Sequence, residues 1–71
     1  MVIFEEYSEF WNKIRKTFIA DPRHAREYKV GYIGYKQWLF DLGGIENNNR
    51  DIVFVNGEDA LAIKLKFGWN G

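Results

Sequence analysis

Apolar residues recur at helical spacing from the start of the chain. Ile3, Tyr7, Phe10, Trp11, Ile14 and Phe18 fall at steps of four, three, one, three and four. That is one stripe of a 3.6-residue helix, and it predicts a long amphipathic helix over 3–19. Glu5, Glu6, Ser8, Glu9, Asn12, Lys13, Arg15 and Lys16 cover the other side. Acid precedes base along it, which suits the helix dipole. Asp21-Pro22 then marks a new start, with Asp21 able to cap and Pro22 suited to the first helical position. A short basic helix follows over 22–29. Gly31 and Gly34 precede a third helix at about 34–42, with Tyr35, Trp38, Leu39 and Leu42 on one face. Gly43-Gly44 supplies its stop. Residues 46–50 (Glu-Asn-Asn-Asn-Arg) read as a polar loop, and Asp51 to Val55 as a strand.

The last segment supports two readings. Leu61, Ile63, Leu65 and Phe67 alternate with Ala62, Lys64 and Lys66, which fits the second arm of a β-hairpin. Against that, Asn56 suits an N-cap, Glu58 and Asp59 suit a first turn, and Gly68 suits a stop. The second set predicts a helix over 57–67 and is favoured slightly. The strand at 52–55 then has no obvious partner within the chain. Its unpaired edge would favour dimerisation, so a homodimer is among the expected possibilities. The fold class expected is α+β, a small, mostly helical single domain spanning 1–71.

Composition narrows the chemistry. The 71 residues include no Cys, so disulfides, thiol catalysis and thiolate metal sites are excluded. The lack of disulfide staples fits a reducing cytoplasm. The longest apolar runs are too short to cross a membrane, and no signal peptide is recognisable at the N-terminus. There is one His (His24), one Ser (Ser8) and one Thr (Thr17). A hydroxyl–imidazole–acid triad has little to draw on, and a histidine-rich metal centre nothing. Asp51, Glu58 and Asp59 lack the alternating spacing of a calcium loop. The residues argue against catalysis and call for no cofactor.

Six Phe, four Tyr and three Trp are unusually many rings for so short a chain. Most are expected in the core, where they give a small domain much burial per residue. Thirteen rings also leave room for an exposed stacking or docking surface.

Charge is balanced overall, ten Lys and Arg against ten Asp and Glu, but not along the chain. Residues 11–36 hold seven bases and two acids, whereas 37–59 hold five acids and one base. The basic stretch interleaves with Tyr28, Tyr32 and Tyr35. Bases beside exposed rings suit single-stranded nucleic acid, with phosphates on the bases and nucleobases stacked on the rings. On that reading Arg15, Lys16, Arg23, Arg26 and Lys29 contact phosphate, and Tyr28 or Tyr32 stacks. The competing reading is that these are solvated helix faces. Gly31-Tyr-Ile-Gly34 has the Gly-x-x-Gly form of a KH loop but lacks its basic middle pair. A helix-turn-helix over 22–42 shows only Lys36 on its second helix to reach DNA.

The C-terminal half resembles small uncharacterised proteins of tailed phages, especially those of marine cyanobacteria. The matching pieces are Tyr35-Lys-Gln-Trp-Leu39, Gly43-Gly44-Ile45, Ile52-Val-Phe54 and Glu58-Asp59-Ala60-Leu-Ala-Ile-Lys64-Leu65-Lys-Phe67-Gly68. The resemblance implies a phage or marine metagenomic origin, and so a host cytoplasm. It supports the helical reading of 57–67 and brings no activity or functional residue. The function expected is a non-catalytic interaction protein that binds a host or viral macromolecule. The alternatives are a nucleic-acid module using the 13–36 stretch and an accessory subunit of a larger assembly.

Overall fold

A computed structural model describes residues 1–29 and 31–68. In chain order the elements are β1 (Val2–Phe4), α1 (Glu9–Ala20), α2 (Pro22–Glu27), α3 (Tyr32–Asp41), β2 (Gly44–Glu46), β3 (Ile52–Phe54) and α4 (Gly57–Lys66). The fold is α+β, as the pattern predicts: among the described residues, four helices and a three-stranded antiparallel sheet in the order β1-β3-β2.

The N-terminal helix begins at Glu9, not near Ile3. Residues 2–4 are an edge strand paired with β3, Val2 opposite Phe54 and Phe4 opposite Ile52. A tight turn follows, with the Ser8 amide donating to the Glu5 carbonyl at 2.9 Å and Tyr7 at φ 65°. The helical period extended too far upstream because Ile3 and Tyr7 land on the stripe by spacing alone. They are 50% and 70% exposed, whereas Trp11, Ile14 and Phe18 are buried. Val2, Ile3 and Phe4 are good strand formers with a pairing partner fifty residues away, which a local pattern does not reveal.

The strand at 52–54 is the middle strand of the sheet and has a partner on each side. Both its edges are used, which removes the argument for a homodimer by edge pairing. The second partner, β2, lies where a glycine stop and a polar loop are expected. Gly43 does end α3, with φ 92° just beyond the helix. Pairing resumes at once, Gly44 opposite Phe54 and Glu46 opposite Ile52. Asn47 closes the β2–β3 hairpin: its side-chain oxygen accepts from the Asn49 and Asp51 amides, each at 2.9 Å.

The last segment is a helix. Asn56 caps it by accepting from the Glu58 amide at 2.9 Å; acids fill its first turn and Lys64 and Lys66 its last. The alternation of Leu61 and Leu65 with lysines does not reflect burial, since both leucines are exposed while Ala60 and Ile63 pack inward.

One apolar cluster unites the elements. It holds Trp11, Ile14 and Phe18 of α1, Tyr35, Trp38 and Leu39 of α3, Ile52 and Phe54 of β3, and Ala60 and Ile63 of α4. All three helices therefore lie on one face of the sheet. Register places Ile3, Val53 and Ile45 in a row on the other face. Val53 is buried yet stands outside the main cluster. Helix α2 buries no residue fully and docks through the His24 ring, stacked on Phe18 at 5.1 Å and 4°. The chain reaches α3 by a close approach at Gly34, where any Cβ would stand 1.4 Å from the Lys29 carbonyl oxygen. Among the described residues no helix is long and apolar enough to cross a membrane.

Candidate functional site

Two connections meet at one end of the sheet: the β1–α1 turn (5–8) and the β2–β3 loop (47–51). Three interactions tie them. The Glu6 amide donates to Asp51 Oδ1 at 2.9 Å, the Trp11 indole N–H donates to the Arg50 carbonyl at 2.7 Å, and Arg50 Nη1 lies 3.6 Å from Glu6 Oε2. Tyr7 and Arg50 have φ near 65°, alone among the described non-glycine residues in taking the left-handed region. Backbone held there in non-glycine residues costs of order 1–2 kcal/mol each and tends to gather at functional sites. Here both line the same hollow of about 330 Å³, together with Glu6, Trp11, Arg15 and Tyr32.

Arg15 is the centre of this region. Its guanidinium carbon lies 4.8 Å from the Trp11 ring centroid and 5.0 Å from that of Tyr35. Stacking between two ring faces orients the cation by about 0.5–2 kcal/mol per contact and leaves its in-plane N–H edge open. Among the described residues Arg15 has no carboxylate within ion-pair distance and donates no hydrogen bond. Lys13, Arg23 and Arg50, by contrast, each have an acid partner.

The rings continue outward on both sides. Tyr7 packs on Trp11 with centroids 5.0 Å apart, and Tyr32 on Tyr35 at 6.4 Å. The middle rings are buried; Tyr7 is 70% exposed and Tyr32 50%. The order across the surface is exposed ring, buried ring, guanidinium, buried ring, exposed ring. Tyr32 is anchored by donating its hydroxyl proton to Glu46 Oε2, and Lys36 Nζ sits 5.1 Å from its ring centroid. That hydrogen bond raises the Tyr32 pKa above its ordinary value, with burial adding to it. Burial pushes the Tyr35 phenol up as well, and its buried hydroxyl has no hydrogen-bond partner. Glu46 Oε1 is likewise buried without one.

Arg15 and Tyr32 also form the near wall of a second hollow of about 330 Å³, which continues to Phe18, Ile19, His24 and Ala25. The Arg15–Tyr32 rib thus separates a cationic hollow from an apolar one.

The seven residues expected to contact nucleic acid do not form one face. Arg15 and Tyr32 come together at the rib. Arg23 and Tyr28 line a different hollow, shared with Asp21, Glu27, Asp41 and Lys66. There Arg23 is engaged by Asp21 at 2.8 Å, and its hydrogen bonds hold the Asp21 carboxyl down at about 2. Tyr28 donates to Asp41 Oδ2 at 2.6 Å, which pushes its pKa up to about 12. Lys16, Arg26 and Lys29 are exposed and line neither hollow. Sequence reasoning did not select Tyr7, Trp11 or Arg50. Tyr7 and Trp11 lay on the expected core stripe and Arg50 in a polar loop thirty-nine residues from Trp11. No local pattern joins them.

A further hollow of about 580 Å³ between α3 and β2 sets the acids Glu27, Asp41 and Glu46 against the base Lys36. Its tyrosine hydroxyl is already committed to Asp41. Among the described residues no cluster of three His, Asp or Glu side chains is disposed to hold a metal ion. Compared with models of known families, with curated proteins and with solved structures, the chain matches none.

Proposed function

We propose that this chain is a non-catalytic binding protein that engages its partner through the ring–guanidinium–ring surface around Arg15. The observation that carries the reading is Arg15 itself: oriented by two ring faces, lacking a protein acceptor, and flanked by two exposed tyrosines. Arg, Tyr and Trp are the residues that most often dominate binding energy at recognition surfaces. Two loops held together by three cross-links, with two residues in a strained backbone region, give a surface that is ordered before the partner arrives. Such preorganisation lowers the entropy cost of binding.

The reactive residues support a non-catalytic role. The Thr17 hydroxyl donates to the Lys13 carbonyl at 2.7 Å, and His24 Nδ1 is committed to the Phe18 carbonyl at 2.8 Å. Ser8 Oγ is buried without a hydrogen-bond partner, so His24 is hydrogen-bonded to neither hydroxyl as a base would be to a nucleophile. The likeness of the C-terminal half to small phage proteins is the support for a phage origin.

The test is calorimetric titration with three anionic probes, a hexathymidylate, a hexaglutamate peptide and pyrophosphate, on the wild type and on Arg15→Met. Met keeps the packing between Trp11 and Tyr35 and removes the charge. The expected result is that at least one probe binds the wild type, is recovered chemically unchanged, and loses at least tenfold in affinity with Arg15→Met. No binding by any probe, or equal binding by the variant, overturns the reading.

A second reading concerns the outer face of the sheet. There Ile3 and Ile45 are about half exposed on either side of Val53, and Val55 is 69% exposed. The exposed β-branched side chains of Ile3, Ile45 and Val55 suit a protein partner or a second copy. Light scattering over a concentration series tests the second copy. A monomer throughout removes it.

A further inference from the structure

We infer that the partner of the Arg15 surface is single-stranded nucleic acid, bound as base, phosphate, base across Tyr7, Arg15 and Tyr32. The inference rests on the reading above that this surface is the binding site, and it names the ligand. Three features carry it. First, the order of chemistry matches: a planar exposed ring, a cation with a free donor edge, a second planar exposed ring. A single strand presents the complementary order in each dinucleotide step. Second, the rib divides two hollows of about 330 Å³ each, so that consecutive bases have separate places. Third, among the described residues Arg15 and Lys36 have no acid within ion-pair distance, and Lys36 stands over the Tyr32 ring; Arg50 lines the first hollow but is paired with Glu6.

An acidic peptide would satisfy Arg15 equally well but would leave Tyr7 and Tyr32 without planar partners. Duplex would satisfy the cations, but its bases are stacked on each other and cannot lie on tyrosine. The small number of cations sets the salt response. One or two phosphate contacts, from Arg15 and Lys36, give a slope of log K against log salt of about −0.7 to −1.4 on a single strand. A surface of many lysines would be much steeper.

The experiment is fluorescence anisotropy of end-labelled hexathymidylate, hexauridylate, a mixed-sequence duplex and hexaglutamate, at several salt concentrations. The expected result is binding of either or both single strands with that shallow slope, and at least tenfold weaker binding of duplex. Tyr32→Leu should lose about five- to hundredfold, the range of one base-stacking contact. Tyr32→Phe, which keeps the ring and drops the bond to Glu46, should stay within about threefold of wild type. Tyr7→Asn tolerates the left-handed backbone at that position and should lose as much as Tyr32→Leu. Circular dichroism confirms that each variant is folded; should Tyr32→Leu fail to fold, Tyr7→Asn carries the test.

Binding of hexaglutamate at Arg15 without either single strand overturns this inference and leaves the binding surface standing. Equal affinity for duplex and single strands, or no loss in either ring variant, also overturns it. No binding by any probe overturns both.

Discussion

Trp11→Phe should cost this protein about 1 kcal/mol more than the same trim at Trp38. Trp11 is 5% exposed and its indole N–H donates to the Arg50 carbonyl at 2.7 Å. Phe shortens the side chain and leaves a partial cavity, worth about 1–2 kcal/mol. It also strands the Arg50 carbonyl. That group is only partly buried, so water recovers some of the loss and the remaining cost is about 1 kcal/mol. The sum, about 2–3 kcal/mol, is a large share of the roughly 4–10 kcal/mol available to a domain of this size. Trp38 is equally buried, and no hydrogen bond of its indole is seen. Trp38→Phe therefore supplies the cavity term alone. In urea, with a slope near 1 kcal/mol/M, Trp11→Phe should lower the midpoint by about 1 M more than Trp38→Phe does. Far-UV circular dichroism reads both transitions. A Trp11→Phe midpoint no lower than that of Trp38→Phe would refute the argument that this bond clamps the hairpin loop to α1.

Three further outcomes follow from the fold. Tyr28 has a pKa near 12 in the folded chain against 10.0 ordinarily, because its proton is held by Asp41. Its contribution to stability is complete below pH 10 and is lost as pH rises from 10 through 12, so Tyr28→Phe should flatten the alkaline limb of a urea-midpoint profile. Asn56→Ala removes the cap on the Glu58 amide and should cost about 1 kcal/mol in the same urea assay. Gly34→Ala forces a Cβ to within 1.4 Å of the Lys29 carbonyl, so the 29–34 connection must move; thermal unfolding should show a loss of about 2–3 kcal/mol or more, and an unchanged melting temperature would contradict the close approach.

The helices were legible because their signals are local. Asp21-Pro22, Asn56 with Glu58-Asp59, and the Trp11–Ile14–Phe18 spacing each act within a few residues. The sheet was not legible beyond its middle strand, because β1 and β2 owe their form to pairing with β3, a partner distant in the chain for β1 and across a polar loop for β2. Ile3 shows the failure most plainly: its spacing to Tyr7 fits a helix, but its partner is Val53. The same limit governs the site. Arg15 and Tyr32 stood out as base and ring within one charged stretch. Arg50 and Tyr7 join them only through the hairpin loop and the turn after β1, and charge along the chain carries no trace of that meeting. Arg23 and Tyr28 had equal standing in the sequence, yet Asp21 and Asp41 take up their polar groups.

The central claim is a place on the surface, and amide and indole shift mapping by two-dimensional NMR during titration with hexathymidylate tests it most directly. The account predicts perturbations centred on Tyr7, the Trp11 indole N–H, Arg15, Tyr32 and Arg50, reaching His24 and Ala25 where α2 lines the second hollow. Perturbations centred on the Tyr28–Asp41 hollow, or on the Ile3–Val53–Ile45 face of the sheet, would contradict it.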